Sequence, residues 1–216
     1  MGLGNLVRGS AAFLLFTQIA VAGWNDIPAT DYALPAPPAA GSAAYEKDFE
    51  TLHDLEKTRT AAECQMASAQ QFPTVDAFFG HTPLLSKKQF KESKDLVKKV
   101  MKYTEEVTNH FKLQHMRPRP FNTDTTLTPC APKPGGSKAY PSSHASMAAA
   151  GACVLAEIFP TKAKALLAYG KSLGDLRITV GVHHPSDVAA GQNLAAQICE
   201  RLVDDSDFQH DLQKVN

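Results

Sequence analysis

"SKKQFKESKDLVKKVMKYTEEVTNHFKLQH" occupies residues 86–115. Phe90, Val97, Val100, Met101, Val107 and Phe111 lie on one stripe at helical spacing, and lysines and glutamates fill the opposite face. The pattern predicts one long amphipathic helix. Outward from it in either direction, no stretch alternates apolar and polar residues with the β-branched enrichment that a strand requires. The fold class read from the sequence is all-α.

Upstream, Tyr45, Phe49, Leu52, Leu55 and Glu56 recur at three- and four-residue steps, which predicts helix over about Ala43–Gln70. "QFPTVDAFFGHTP", residues 71–83, breaks that pattern. Residues 23–42 are rich in proline and alanine ("IPATDYALPAPPAAGS") and read as an extended arm. Downstream, "RPRPFNTDTTLTPCAPKPGGSKAYP", residues 117–141, is a long loop; loops of this length in a compact domain are usually functional or disordered. Three further helices are expected at about Ser143–Ile158, Lys162–Gly174 and Ser186–Val203, and a short one over "SDFQHDLQKV" near the C-terminus. Neither an internal repeat nor a second domain is visible. The expected architecture is a single-domain helical bundle over residues 43–216.

Composition bounds the function. The chain has 216 residues, of which 44% are hydrophobic, and 22 basic residues balance 22 acidic ones. Such a neutral chain has no electrostatic footprint for polymeric nucleic acid or an acidic membrane. An anionic substrate would have to be held by a local cluster of cations. Residues 1–22 resemble an export signal: Arg8, then the apolar run "AAFLLFTQIAVA", then small residues suited to cleavage after Ala22. That run is short of the roughly 20 apolar residues a spanning helix needs. The expectation is a periplasmic or secreted protein without stable membrane insertion. A homo-oligomer is compatible with the sequence. Four cysteines in an exported chain point to disulfides, and none are at CxxC spacing.

The polar residues gather at expected helix ends. Lys112 lies at the end of the long helix and Arg119 just beyond it, where Pro118 and Pro120 stop it. Ser142, Ser143 and His144 stand where a helix should begin, a natural anion site. "RITVGVHHPSD", residues 177–187, carries Arg177, His183 and His184, and reaches another helix start at Asp187. Each segment alone is weak. Their joint order is informative: Lys112, six residues, Arg119-Pro120; Pro141-Ser-Ser-His144; Arg177, five residues, His183, three residues, Asp187.

This order resembles the three-part signature of the phosphatidic-acid-phosphatase type 2 and vanadium haloperoxidase superfamily, and within it the bacterial class A non-specific acid phosphatases. "LPAPPAAGSAAYEKD", "MRPRPF", "VLAEIFP", "AYGKSLGDLR" and "HHPSDVAAG" also resemble that group in order, so the likeness covers nearly all of the mature chain. Two positions depart from the family pattern. Ser143 stands where glycine is usual; a backbone N–H can still serve there if its angles are ordinary. Leu176 stands where serine is usual.

The resemblance implies an acid phosphatase that hydrolyses small phosphate monoesters through a phosphohistidine, with no metal or other cofactor. Lys112, Arg119, Ser142, Ser143 and Arg177 would hold the phosphate. His183 would be the nucleophile, Asp187 would orient it, and His144 would protonate the leaving group and then activate water. Arginines suit the task because a planar fork binds two phosphate oxygens at once. His184 is expected to line the pocket mouth or pack as a neighbour. Arg117, outside the spacing, is expected to matter far less than Arg177. Vanadate, a phosphate mimic, is expected to inhibit. The competing readings are a vanadium-dependent haloperoxidase, usually a much longer chain; a membrane lipid phosphatase, disfavoured by the lack of apolar spans; and a non-catalytic periplasmic phosphate-binding protein, which would not need both His144 and His183.

Cys64–Cys130 is the expected disulfide, because it would tie the long loop to the first helix. Cys153 and Cys199 lie about 13 Å and 18 Å into helices that start at the site. Their depths differ by about 5 Å, within a disulfide's total Cα reach of about 4.4–6.8 Å only if the helices adjust. They either pair or remain buried thiols.

Overall fold

The computed structural model describes residues 23–135 and 138–215. Among these there is no strand, and the chain is all-α. The proposed export signal, residues 1–22, lies outside the described residues.

The described residues form nine α-helices in order: α1 (Ala43–Thr58), α2 (Ala61–Ala69), α3 (Val75–Phe79), α4 (Lys87–His115), α5 (Pro120–Thr123), α6 (Ser143–Ile158), α7 (Ala163–Thr179), α8 (Pro185–Val203) and α9 (Ser206–Gln213). The long helix α4 has the expected bounds. Ser86 caps it by accepting from the Gln89 N–H, and the Gln89 side chain accepts from the Ser86 N–H in return. It ends at Met116, whose φ of 44° is left-handed.

The 43–70 pattern is two helices rather than one. Thr60 and Glu63 form a reciprocal cap that starts α2 afresh after Arg59. The break at 71–83 contains α3, capped by Thr74, whose Phe78 and Phe79 are buried in the main core. α7 runs past Gly174 and carries Arg177 in its last turn. The arm is extended only in part: it makes 3₁₀ turns at Trp24–Asp26 and Ala29–Asp31. Buried Trp24 meets Tyr103 of α4 and Phe208 of α9 edge-on, and the Tyr140 hydroxyl donates to the Pro35 carbonyl at 2.6 Å.

α6 is the centre of the bundle and is almost entirely buried, with α4, α7 and α8 packed around it. Its sequence, "SHASMAAAGACVLAEI", explains this: small side chains let neighbouring backbones approach closely. A Cβ on Gly170 of α7 would lie 2.3 Å from the Ala152 Cβ and 2.8 Å from the Ala148 carbonyl oxygen. At Gly191 of α8 a Cβ would lie 2.5 Å from the Ser142 carbonyl oxygen. The starts of α6 and α8 are thus pressed together, and the Ser142 N–H donates to the Asp187 carbonyl at 2.9 Å. Overpacking of this kind costs about 1–3 kcal/mol. Gly191→Ala is therefore expected to lower the melting temperature and to weaken protection by inorganic phosphate. An unchanged melt with and without phosphate would show that the two helix starts have room to spare.

The described part of the 117–141 loop is anchored. Cys130 is bonded to Cys64 of α2, with Cα atoms 5.5 Å apart, and its N–H donates to Val180 at 3.2 Å. Asp124 meets His53 of α1 at 2.9 Å. Under the loop, Ala67, Phe121, Ala131, Leu176, Val180 and Val182 form a second small apolar cluster. Leu176 packs there, where a serine would leave a gap. Cys153 and Cys199 are also joined, and their Cα atoms are 6.3 Å apart.

Candidate active site

Five segments converge on one buried region: the last turn of α4, the residues before α5, the start of α6, the last turn of α7, and the loop entering α8. Lys112, Arg119, Ser142, His144, Arg177, His183 and Asp187 are all buried. Every residue singled out by the spacing is in this region, and of the phosphate-holding set Ser143, at the first position of α6, is half-buried rather than buried. Ser143 is helical with a negative φ, so its N–H is presented as a helix N-terminal donor.

Hydrogen bonding fixes the state of each ring. Arg119 donates through Nη1 to the Val182 carbonyl at 3.0 Å and to His183 Nε2 at 2.6 Å. A guanidinium cannot accept, so Nε2 of His183 is the bare nitrogen and its proton is assigned to Nδ1. That Nδ1 faces Asp187 Oδ2 at 3.4 Å. His144 Nε2 lies 2.6 Å from the Gln70 carbonyl, which assigns its proton to Nε2 and leaves Nδ1 bare.

The site is strongly cationic. Burial and the Arg119 guanidinium push the Lys112 ammonium down to about 7, although it donates to the carbonyls of Lys138 (3.0 Å) and Pro141 (2.5 Å). Burial and Arg119 bring Arg177 down to about 10. Burial, with Arg177 next, takes His144 down to about 3. His183 is held well below its ordinary value by burial and by Arg119. Asp187 is the counter-charge. Burial opposes its ionisation, yet hydrogen bonds from His183 and His184 hold its carboxyl well below the usual carboxylate range.

Among the described residues three buried side-chain nitrogens have no partner: the donors Nε of Arg119 and Nε of Arg177, and Nε2 of His184. Orphaned buried donors are costly, more so when charged. An oxyanion with several acceptor oxygens would satisfy both arginines and neutralise the surplus positive charge. Among the described residues, no group of three or more His, Cys, Asp or Glu side chains is arranged to hold a metal ion.

Of the two expectations for His184, packing as a neighbour holds and lining the pocket mouth does not. It is 1% exposed, meets Phe49 edge-on at 5.3 Å between ring centroids, and its Nδ1 lies 2.9 Å from Asp187 Oδ2. Other placements were not legible in the spacing. Arg117 is buried against Asp187, with Nη1 2.7 Å from Oδ1, and against Asp48 of α1, with Nη2 2.8 Å from Oδ2. α2 supplies backbone acceptors: Arg177 Nη1 donates to the Ala67 carbonyl at 3.1 Å, and Gln70, the α2 C-cap, holds His144. Backbone carbonyls carry no residue-type signal. Arg117 could have been found only by asking which cation balances Asp48.

Comparison with known proteins identifies the family. The PAP2 superfamily pattern matches residues 101–202, which span the site from Lys112 to Asp187. A non-specific acid phosphatase of Providencia stuartii is 31% identical over 192 residues, covering 84% of this chain and 77% of its own. An acid phosphatase of Zymomonas mobilis is 29% identical over 189 residues, covering 83% and 71%. A non-specific acid phosphatase of Salmonella typhimurium is 35% identical over 108 residues, covering 48% and 43%. With a bundle built to bring those cations and histidines to one buried point, the chain belongs to the PAP2 superfamily, among its acid phosphatases.

Proposed function

We propose that the protein is an exported acid phosphatase that hydrolyses small phosphate monoesters through a phosphohistidine on His183, without a metal ion. The observation that carries this reading is the bare Nε2 of His183, 2.6 Å from the Arg119 guanidinium, beside two buried arginines with unpaired donors.

In the transition state of phosphoryl transfer, charge spreads over three equatorial oxygens, and fixed donors aimed at them are the main catalytic device. Arg119, Arg177, the Ser142 hydroxyl and the Ser143 N–H supply those donors, and Lys112, whose N–H groups face the carbonyls of Lys138, Ala139 and Pro141, adds its charge. His183 Nε2 forms a bond to phosphorus as the ester P–O bond breaks. Asp187 holds the Nδ1 proton and stabilises the positive ring. The departing alkoxide takes a proton from His144. His144, now neutral, then removes a proton from water, whose oxygen displaces His183 from phosphorus.

The reading has a definite pH dependence. His183 is held well below its ordinary value, so moderate acid does not protonate the nucleophile. His144 is neutral in the empty site except in strong acid. Its proton arrives with the substrate monoanion, which prevails below about pH 6. Burial depresses His144 most; a bound phosphate would offset the cations that add to it, Arg177, Arg119 and Lys112. Above about 7 the cradle loses the Lys112 charge. Activity is therefore expected to peak on the acid side and to fall as the pH rises through neutrality. A rate still rising above pH 8 would contradict the assignment of His144 and Lys112.

Assay on aryl phosphates and nucleotides tests the class of reaction. We expect full activity in EDTA, inhibition by vanadate, and no bromide oxidation with vanadate and peroxide. Loss of activity on chelation, restored by a divalent cation, would refute metal independence. Export is supported by the two disulfides, and no helix among the described residues is long and apolar enough to cross a membrane.

A further inference from the structure

We propose that Arg117 and Asp48 form a positioning pair for the Asp187–His183 couple. Arg117 clamps the Asp187 carboxylate, and Asp48 cancels the charge that the clamp would otherwise impose. The inference rests on the reading of His183 as nucleophile.

Asp187 divides its oxygens between two tasks. Oδ2 accepts from the two histidines and from the His184 N–H at 2.9 Å. Oδ1 accepts from Arg117 Nη1 at 2.7 Å. With Oδ1 fixed, the carboxylate plane is fixed, and so is the direction from which Oδ2 meets His183. Arg117 is held in turn. Its Nη2 donates to Asp48 Oδ2 at 2.8 Å, and its Nη1 also donates to the Ser186 hydroxyl at 2.7 Å. Ser186 closes the ring by donating its hydroxyl to Asp48 Oδ2 and its N–H to Asp48 Oδ1 at 2.9 Å. Asp48 is 4% exposed and Arg117 6%.

Stability alone does not account for this arrangement. The desolvation penalty of buried ions often equals or exceeds their attraction, and apolar side chains of similar volume usually do as well. The charges have a different logic. Arg117 alone beside Asp187 would neutralise the carboxylate, just where His183 becomes positive on phosphorylation. Asp48 faces the other edge of the guanidinium and compensates it. The Asp187 charge then remains available to the ring. Asp48 comes from α1, outside the 101–202 span matched by the superfamily pattern, so α1 completes the site from beyond it.

The test is rapid-quench kinetics of the full chain with an aryl phosphate, measuring phosphoenzyme formation, kcat and KM. Arg117→Gln is expected to slow phosphoenzyme formation about 100-fold and Asp48→Asn about tenfold, by analogy with the loss of a partner that orients a metal-ligating histidine. KM should stay within about threefold, because neither residue meets the substrate. ¹⁵N resonances of His183 should show a single Nδ1–H tautomer in the natural protein and a mixture in both variants. If Arg117→Gln does not fold by circular dichroism, the near-isosteric Asp48→Asn decides. An unchanged rate of phosphoenzyme formation in Asp48→Asn, or a rise in KM at constant kcat, overturns the pairing while His183 stands. No phosphoenzyme in the natural protein overturns the His183 reading and the pairing with it.

Discussion

His183→Ala is expected to reduce phosphatase activity to background, whereas His184→Ala keeps a trappable phosphoenzyme. The rings are adjacent in sequence and both meet Asp187 Oδ2, at 3.4 Å and 2.9 Å. By distance alone His184 is the better partner. The other nitrogen separates them. His183 Nε2 faces the Arg119 guanidinium, where a phosphate would be held, while His184 Nε2 is buried without any partner. A nucleophile needs its lone pair at the phosphate; on the proposed reading that is the His183 Nε2 lone pair, which here accepts from Arg119, so His183 rather than His184 would attack. His184 packs against Phe49 and shares the carboxylate, so its loss should slow turnover moderately and lower stability. Turnover measured on both variants, with folding checked by circular dichroism, decides this. Comparable residual activities would mean that the ring was misassigned.

Arg177→Ala is expected to lower kcat/KM about 10²–10³-fold, the scale seen when one transition-state donor is removed. Arg177 is 2% exposed in the last turn of α7. One of its N–H groups is spent on the Ala67 carbonyl at 3.1 Å, and its Nε has no partner. That unpaired edge is the contribution expected at an equatorial phosphate oxygen. Arg177→Lys should recover little, because an ammonium cannot reproduce the fork. Vanadate inhibition should weaken in parallel, since vanadate uses the same donors. A variant with near-normal kcat/KM would place Arg177 outside the cradle. Spacing had set Arg117 well below Arg177 in importance; on the proposed pairing, its burial against Asp187 is expected to give it an effect of its own.

The sequence carried the fold further than it carried the site's supports. The stripe over residues 86–115 has one reading, and α4 has those bounds. Other errors came from local signals with two meanings. Gly174 can end a helix, but here its missing Cβ lets α7 pass Ala145 of α6, where a Cβ would lie 2.9 Å from that alanine's Cβ. Tyr45-to-Glu56 periodicity runs on smoothly to Gln70, and only the Thr60–Glu63 cap marks the break. The arm's prolines argued for extension, whereas Trp24 and Tyr32 bury against α4. Site residues at motif spacing were legible because the chemistry fixes their order. Arg117 and Asp48 are 69 positions apart and meet through tertiary packing alone, so no spacing rule joins them.

The most direct test is chemical identification of the phosphorylated residue. The natural protein is mixed with a labelled phosphate monoester and quenched in denaturing alkali, where a phosphorus–nitrogen bond survives, then digested and mapped. The label is expected on the peptide carrying His183, attached at Nε2. Label on His144, on His184 or on a serine, or turnover without any labelled intermediate, would contradict the account.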